Sequence, residues 1–209
     1  MRYIVTTPWW LRLTFPKGLI WDIPAREKIL YLTFDDGPHP EHTVFVLDEL
    51  KKYNAKATFF CIGKNVKEHP EVYKRILLEG HRTGNHTHNH LNKKNVTDAQ
   101  WLGNVKEAAE WIDSNLFRPP YGRINSFCAQ TLINANPGYK IVMWNVLSAD
   151  FDTSKTGEQC FSYIKKHTGS GSIILFHDSE KAAPRLKYAL PETLKYFTSM
   201  GFQFQAIVL

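Results

Sequence analysis

Thr33-Phe34-Asp35-Asp36-Gly37-Pro38 sets two carboxylates side by side, and about fifty residues later Asn85-His86-Thr87-His88-Asn89-His90 gathers three imidazoles. One carboxylate and two neutral imidazoles make a three-ligand set with positions left open for water and substrate. That is the ligand count of a catalytic metal site rather than a closed structural one. A second carboxylate beside such a site can take a proton from water. The pattern therefore predicts metal-assisted hydrolysis. Neighbouring residues on an extended chain point to opposite sides, so one Asp can bind metal while the other faces substrate. Gly37-Pro38 supplies a sharp exit, although Asp-Asp-Gly-Pro alone is also an ordinary turn sequence. His86 and His90 are four apart and share a face if the segment is helical. His88 is out of phase and is expected behind the ligands, facing substrate or exposed.

Two further groups could complete such a site. In Arg118-Pro119-Pro120-Tyr121-Gly122 the rigid Pro-Pro step can fix the arginine against a carboxylate and aim the Tyr121 N–H at a developing oxyanion. The alternative is a proline-rich loop with a packed tyrosine. His177 follows the apolar run Ser172-Ile173-Ile174-Leu175-Phe176, and a histidine at a strand end near a metal is a candidate general acid. Leu175 lies two residues earlier on the same strand face, where it could cradle an acetyl methyl or serve as plain core.

The elements that must position these groups follow from periodicity. Ile29–Phe34, Lys56–Ile62, Lys140–Asn145, Ser172–Phe176 and Phe202–Val208 read as strands, and Arg82–Asn85 as a short one. Helical spacing marks His42–Tyr53, a segment through Val66, Val72, Tyr73, Ile76 and Leu77 closed by Gly80, and Ser126–Asn134, Thr156–His167 and Ala189–Met200. Thr97 and Gln100 have capping-box spacing and open a helix that buries Trp101, Val105, Ala108 and Ile112. Phe117-Arg118-Pro119-Pro120 cannot be helix interior. Strands alternating with helices imply a parallel α/β sheet. The polar motifs fall at strand C-terminal ends, as in a β/α barrel; an open doubly wound sheet also fits.

The 209 residues suffice for one domain with a full core, and 43% hydrophobic content argues against disorder. The net charge of +6 fits an anionic partner such as a cell-wall polymer or nucleic acid. The pairs Lys51-Lys52, Lys93-Lys94 and Lys165-Lys166 are isolated among acids, however, and read as solvated faces. No nucleic-acid motif is present. Three distant cysteines, Cys61, Cys128 and Cys160, read as buried thiols rather than a disulfide framework. The N-terminus lacks a secretory signature and no run is long enough for a membrane span. The chain reads as cytoplasmic; a trimmed leader would place it in the cell envelope or outside.

Taken in order, Thr33–Pro38, His86-Thr87-x-x-His90, Arg118–Tyr121 and Leu175-x-His177 resemble the polysaccharide deacetylases of carbohydrate esterase family 4, the NodB-homology domain. The match runs from about residue 29 to 209 and leaves the first two dozen residues outside. The resemblance implies a distorted (β/α) barrel of about seven parallel strands, a single catalytic domain and a divalent metal, usually zinc, with cobalt or nickel compatible with the same donors. It implies Asp36, His86 and His90 as ligands, Asp35 as base and Arg118 as its holder. Tyr121 is implied as oxyanion donor, Leu175 as acetyl-pocket wall and His177 as acid. Trp144–Phe151 aligns with the remaining motif: Asp150 fits the acid that tunes the catalytic histidine, and Trp144 and Phe151 would face substrate. Leu147 stands where members often carry Asp, and Phe151 where Trp is usual, which bears on substrate preference. The implied reaction is N-deacetylation of N-acetylglucosamine glycans, peptidoglycan or chitin-type. The alternatives are O-deacetylation of xylan, hydrolysis of a small amide, and a non-catalytic glycan-binding module.

Overall fold

The computed structural model describes residues 4–209; residues 1–3, where the stretch read above for a leader begins, lie outside the described residues. The chain runs α1 (Trp9–Arg12), β1 (Ile29–Asp35), α2 (His42–Lys52), β2 (Ala57–Cys61), α3 (Gly63–Glu68), α4 (Pro70–Leu78), β3 (Arg82–Asn85), α5 (Asp98–Ala109), β4 (Leu116–Phe117), α6 (Ser126–Ile133), β5 (Lys140–Ile141), β6 (Val146–Leu147), α7 (Gly157–His167), β7 (Ile173–His177), α8 (Ala183–Ser199) and β8 (Gln203–Phe204). The strands pair in parallel in the order β5-β4-β3-β2-β1-β7-β6, with β8 joining β1. Seven strands form a curled half-barrel, as the resemblance implied.

The period of two along β1 explains how one strand serves both core and chemistry. Leu30, Leu32 and Phe34 pack beneath the helices with Val46, Leu50 and Leu190. Tyr31 faces the interior with Phe60, Leu116 and Ile173. Thr33 and Asp35 continue that inner row upward to the rim. β7 matches it residue for residue, pairing Tyr31 with Ile173, Thr33 with Leu175 and Asp35 with His177. The register thus delivers Asp35 and His177 to the rim side by side.

Several sequence expectations are corrected. The helix through Val66 to Leu77 is two helices, because Pro70 in the first turn of α4 restarts the chain after His69. Of the strand expected over Lys140–Asn145, only Lys140–Ile141 pairs, as β5, and β6 starts beyond it at Val146. The Val142 and Met143 carbonyls between them accept from Arg118 at 3.0 and 2.8 Å. Asn145 meanwhile accepts from the Ile173 N–H through its side chain. Residues 116–117 form a strand the sequence did not reveal. α8 begins six residues before the expected start, with Pro184 in its first turn. The last strand is confined to Gln203–Phe204, beyond which the Ile207 N–H donates to the Thr58 hydroxyl.

The described part of the segment that lies outside the expected core, from Ile4 on, is woven into the sheet. Ile20 bridges Val142 beside β5, and Thr6 bridges Val146 in β6. This segment spans the gap between the two outer strands. The three cysteines are buried and free, as expected. No helix among the described residues is long and apolar enough to cross a membrane.

Candidate active site

Asp35 ends β1 almost fully buried, and Arg118 fixes it. The Arg118 Nη1 donates to Asp35 Oδ1 at 2.7 Å and to the Thr33 hydroxyl at 2.8 Å. With its bonds to the Val142 and Met143 carbonyls, the guanidinium is held in its plane, and the Phe60 ring lies 4.1 Å beneath it. Burial, opposed by Asp35, lowers the Arg118 pKa from its ordinary value. Asp35 Oδ2 remains directed toward the histidines, 3.8 Å from His86 Nε2.

Asp36 leaves the strand with a left-handed backbone, φ 87°, and turns its carboxylate to the imidazoles. Asp36 Oδ1 lies 3.4 Å from His90 Nε2 and 3.9 Å from His86 Nε2. The ligand atoms of Asp36, His86 and His90 all fall within 4.8 Å of one another. The two histidines meet by a route other than the helix considered from spacing. The segment after β3 is irregular, and Thr87 and His90 take φ of 65° and 52°. Asn85 shapes this turn by accepting the Thr87 N–H at 2.8 Å and donating to the Val105 carbonyl at 2.9 Å. His88 is buried against α5, 3.3 Å from Glu107, and is neither exposed nor part of the cluster.

The cluster fits a divalent cation. His86 Nδ1 is engaged with the Arg118 carbonyl at 2.7 Å, which puts the proton there and leaves Nε2 a bare donor. Burial, then His90, pushes the His86 pKa down to about 3, so the ring is neutral as a ligand must be. Asp36 Oδ1 is buried without a hydrogen-bond partner, which is costly unless a cation takes it. A second group, His39, His42 and Glu180, also lies within reach of one ion. There His42 Nε2 is already bonded to Glu180 at 2.7 Å, and His39 Nδ1 accepts two backbone N–H groups at 3.2 Å each. With Nδ1 accepting, the neutral His39 ring carries its proton on Nε2 and does not offer that atom to a cation, so the first cluster is the better fit.

On the other flank, Asp150 grips His177 twice, accepting its backbone N–H and bonding its Nδ1, each at 2.8 Å. Phe151 stands edge-on to the His177 ring at 5.5 Å. Leu175 pairs with Leu147 across β7 and β6, and both are buried below His177. Tyr121 has φ 59° on the turn after the two prolines, and its ring lies 4.6 Å from that of His90. Trp144 sits behind the site, packed toward Gly122 and 5.7 Å from the Arg118 guanidinium.

Three supporting residues were not identified from sequence. Asp178 accepts the Gly37 N–H at 2.9 Å and the Thr43 hydroxyl, pinning the loop that carries Asp36. Arg185 of α8 donates to the Asp150 carbonyl at 2.6 Å. Thr33 links Arg118 to β7 through the Ile174 carbonyl at 2.9 Å. Each works through a tertiary contact, so the sequence signals were positional: Thr33 opens the Thr33–Pro38 motif and Asp178 adjoins His177.

A carboxylate clamped by arginine, an Asp-His-His cluster able to hold a cation and an aspartate-held histidine, together on a curled parallel sheet, are the parts of a hydrolase of the deacetylase type. The chain belongs to the polysaccharide deacetylase family, whose profile matches residues 22–140. A peptidoglycan-N-acetylglucosamine deacetylase of Bacillus cereus is 37% identical over 199 residues, 92% of each chain. The peptidoglycan-N-acetylmuramic acid deacetylase PdaC of Bacillus subtilis is 32% identical over 90% of this chain but only 41% of its own length. A crystal structure of a peptidoglycan N-acetylglucosamine deacetylase with a bound N-oxidanyl-benzamide superimposes with TM-score 0.86 at 28% identity, covering 96% of this chain and 95% of that one.

Proposed function

We propose that the protein removes N-acetyl groups from N-acetylglucosamine units of peptidoglycan or a related glycan, with zinc held by Asp36, His86 and His90. Such a dication supplies Lewis acidity to the acetyl carbonyl and lowers the pKa of water beside it. Asp35 is the base: Arg118 occupies Oδ1, so Oδ2 takes the proton as water adds to the carbonyl carbon. The Tyr121 N–H donates to the oxygen as it gains charge. His177 donates a proton from Nε2 to the departing nitrogen while Nδ1 stays on Asp150. The C–N bond breaks, and acetate and a free amino sugar leave. Leu175 and Phe151 wall the acetyl group, and Trp144 backs the turn that carries Tyr121.

The observation that carries this reading is the pair of clamped proton carriers on adjacent strands, Asp35 on Arg118 and His177 on Asp150, at the rim beside the ligand cluster. The test is acetate release from N-acetylglucosamine oligomers and from acetylated xylan after chelation and zinc add-back. Zinc-restored release from the amino sugar supports the proposal, and release from xylan alone replaces it with an O-esterase. Asp35→Asn abolishes turnover while zinc stays bound; retained activity in that variant would remove the base assignment. A wall polymer lies outside the cytoplasm, so this substrate requires export, which cell fractionation tests against the cytoplasmic reading.

A further inference from the structure

Beside the ligand cluster lies a cleft of about 530 Å³ whose ten lining residues include three cations and no acid. Phe15, Lys93, Lys94, Tyr121 and Arg123 define it. Tyr121 is the shared wall, since its ring also contacts that of His90. The cleft is therefore placed where a sugar or substituent next to an acetyl group at the cluster can reach it.

The three cations are not equivalent. Lys93 is committed to Asp98 at 2.6 Å, and this bond lowers the Asp98 pKa from its ordinary value. The pair Lys93-Lys94 is thus not the uniform solvated face its sequence suggested. Among the described residues neither Lys94 nor Arg123 has a carboxylate partner. Asn92 organises both, accepting the Lys94 backbone N–H at 3.1 Å and Arg123 Nη1 at 3.4 Å. Arg123 is half-buried, and beyond its bond to Asn92 its guanidinium donors are unused among the described residues. Phe15 is held edge-on to Trp21 at 4.9 Å and gives the cleft a fixed apolar wall. A planar guanidinium fork with an ammonium beside it matches a carboxylate in shape and charge.

We infer that this cleft is an anion subsite for a carboxylate borne by the glycan next to the reacting N-acetyl unit, read by Arg123 and Lys94. The inference rests on the proposed function for the position of the glycan. Two sources carry that chemistry: a lactyl ether carboxylate on the neighbouring sugar, and the carboxylate of a short peptide attached to it.

The test compares four tetrasaccharides: neutral N-acetylglucosamine, the form with free lactyl acids, the same form with lactyl amides, and a peptide-bearing form. The wild-type protein should prefer the lactyl acid over its amide about tenfold, through KM rather than kcat. Added salt should reduce the preference. Preference for the peptide form alone would assign the peptide carboxylate instead. Arg123→Gln with Lys94→Gln should erase the preference and leave kcat/KM on the neutral tetramer unchanged. Equal turnover of all acid and amide forms, or an equal loss on the neutral tetramer in the double variant, overturns the subsite. Calorimetric binding of acid and amide forms to the Asp35→Asn protein reads the subsite without turnover. Silence in the acetate assay would therefore overturn the catalytic reading while the subsite is still measured.

Discussion

On the proposed reading, with His177 as the acid, Asp150 and His177 set the alkaline side of the reaction. Burial works against a charge on His177, but Asp150, through charge and hydrogen bond, and then Asp36 and Asp35 outweigh it and push the pKa up to about 9. A general acid acts only while protonated, so kcat/KM should fall as pH rises through this region. A dication at Asp36 cancels part of that help, so the limb in the loaded enzyme lies below 9. Asp150→Asn should move it lower still, and a limb that does not move would place the acid elsewhere. Stability of the metal-free protein follows the same pair. The folded pKa lies above the unfolded value, so the contribution is whole below about pH 6.5 and is lost as pH rises through about 9. Urea midpoints at about pH 6 and about pH 10 read the difference, which His177→Gln should shrink. Arg118 is a sharper case because both it and Asp35 are buried. Arg118→Met leaves a buried carboxylate unpaired and should cost about 3–5 kcal/mol in urea unfolding. Asp35→Asn in the same chain should return part of that cost, since no charge is then stranded; strict additivity would mean the two do not interact.

The loops between elements carry the strain. Of six non-glycine residues with left-handed backbone among the described residues, Asp36, Thr87, His90, Tyr121 and Ala149 sit on the motif loops, and only Asn54 does not. Such conformations cost about 1–3 kcal/mol each and persist where surrounding contacts enforce them. Gly37 shows how. A Cβ there would come within 2.2 Å of Asp178 Oδ2, so only glycine lets Asp178 accept the loop N–H. Gly37→Ala should therefore weaken zinc binding by about 10–100-fold with helix content unchanged; unchanged affinity in a zinc titration would mean the loop does not orient Asp36. The same division explains what the sequence could reveal. β1, β2 and β7 were legible because their apolar runs are long enough to have a pattern, and α5 because Thr97 and Gln100 form the capping box their spacing announced. β4 and β6 are two residues each and have no period to read, and β5 is the first two residues of a longer strand that the apolar run suggested. The two histidines of the proposed ligand set were legible as types, but their convergence was not, because it depends on an irregular turn that Asn85 forms with Thr87 and anchors to the Val105 carbonyl twenty residues on. Asp178, Arg185 and Thr33 bond across gaps of 135, 35 and 85 residues, where local sequence is silent.

At the scale of the whole molecule, the curled sheet has two outer strands, β5 and β6, and the N-terminal segment is what lies against both. Ile20 accepts the Met143 N–H at 2.7 Å and donates to the Ile141 carbonyl at 2.9 Å, while the Val5 carbonyl accepts the Leu147 N–H at 2.8 Å. Unpaired strand edges invite pairing with another chain. These edges also adjoin the site, because the Val142 and Met143 carbonyls that leave the ladder are the ones that hold Arg118. A chain shortened to begin at Ile23 would uncover Val142 and Val146, both fully buried now. It should lose roughly 2–5 kcal/mol of stability and associate through the bared edges, seen by light scattering and a lowered Tm. Its kcat should fall more than its zinc affinity, since the proposed ligands lie on the loop after β1 and on the turn after β3 while the Asp35 clamp is anchored beside the lost segment. If zinc affinity and kcat fall together, the segment supports the fold in general. If neither changes, the seam is a cover only, and the geometry of Arg118 is set by β4 and Thr33 alone.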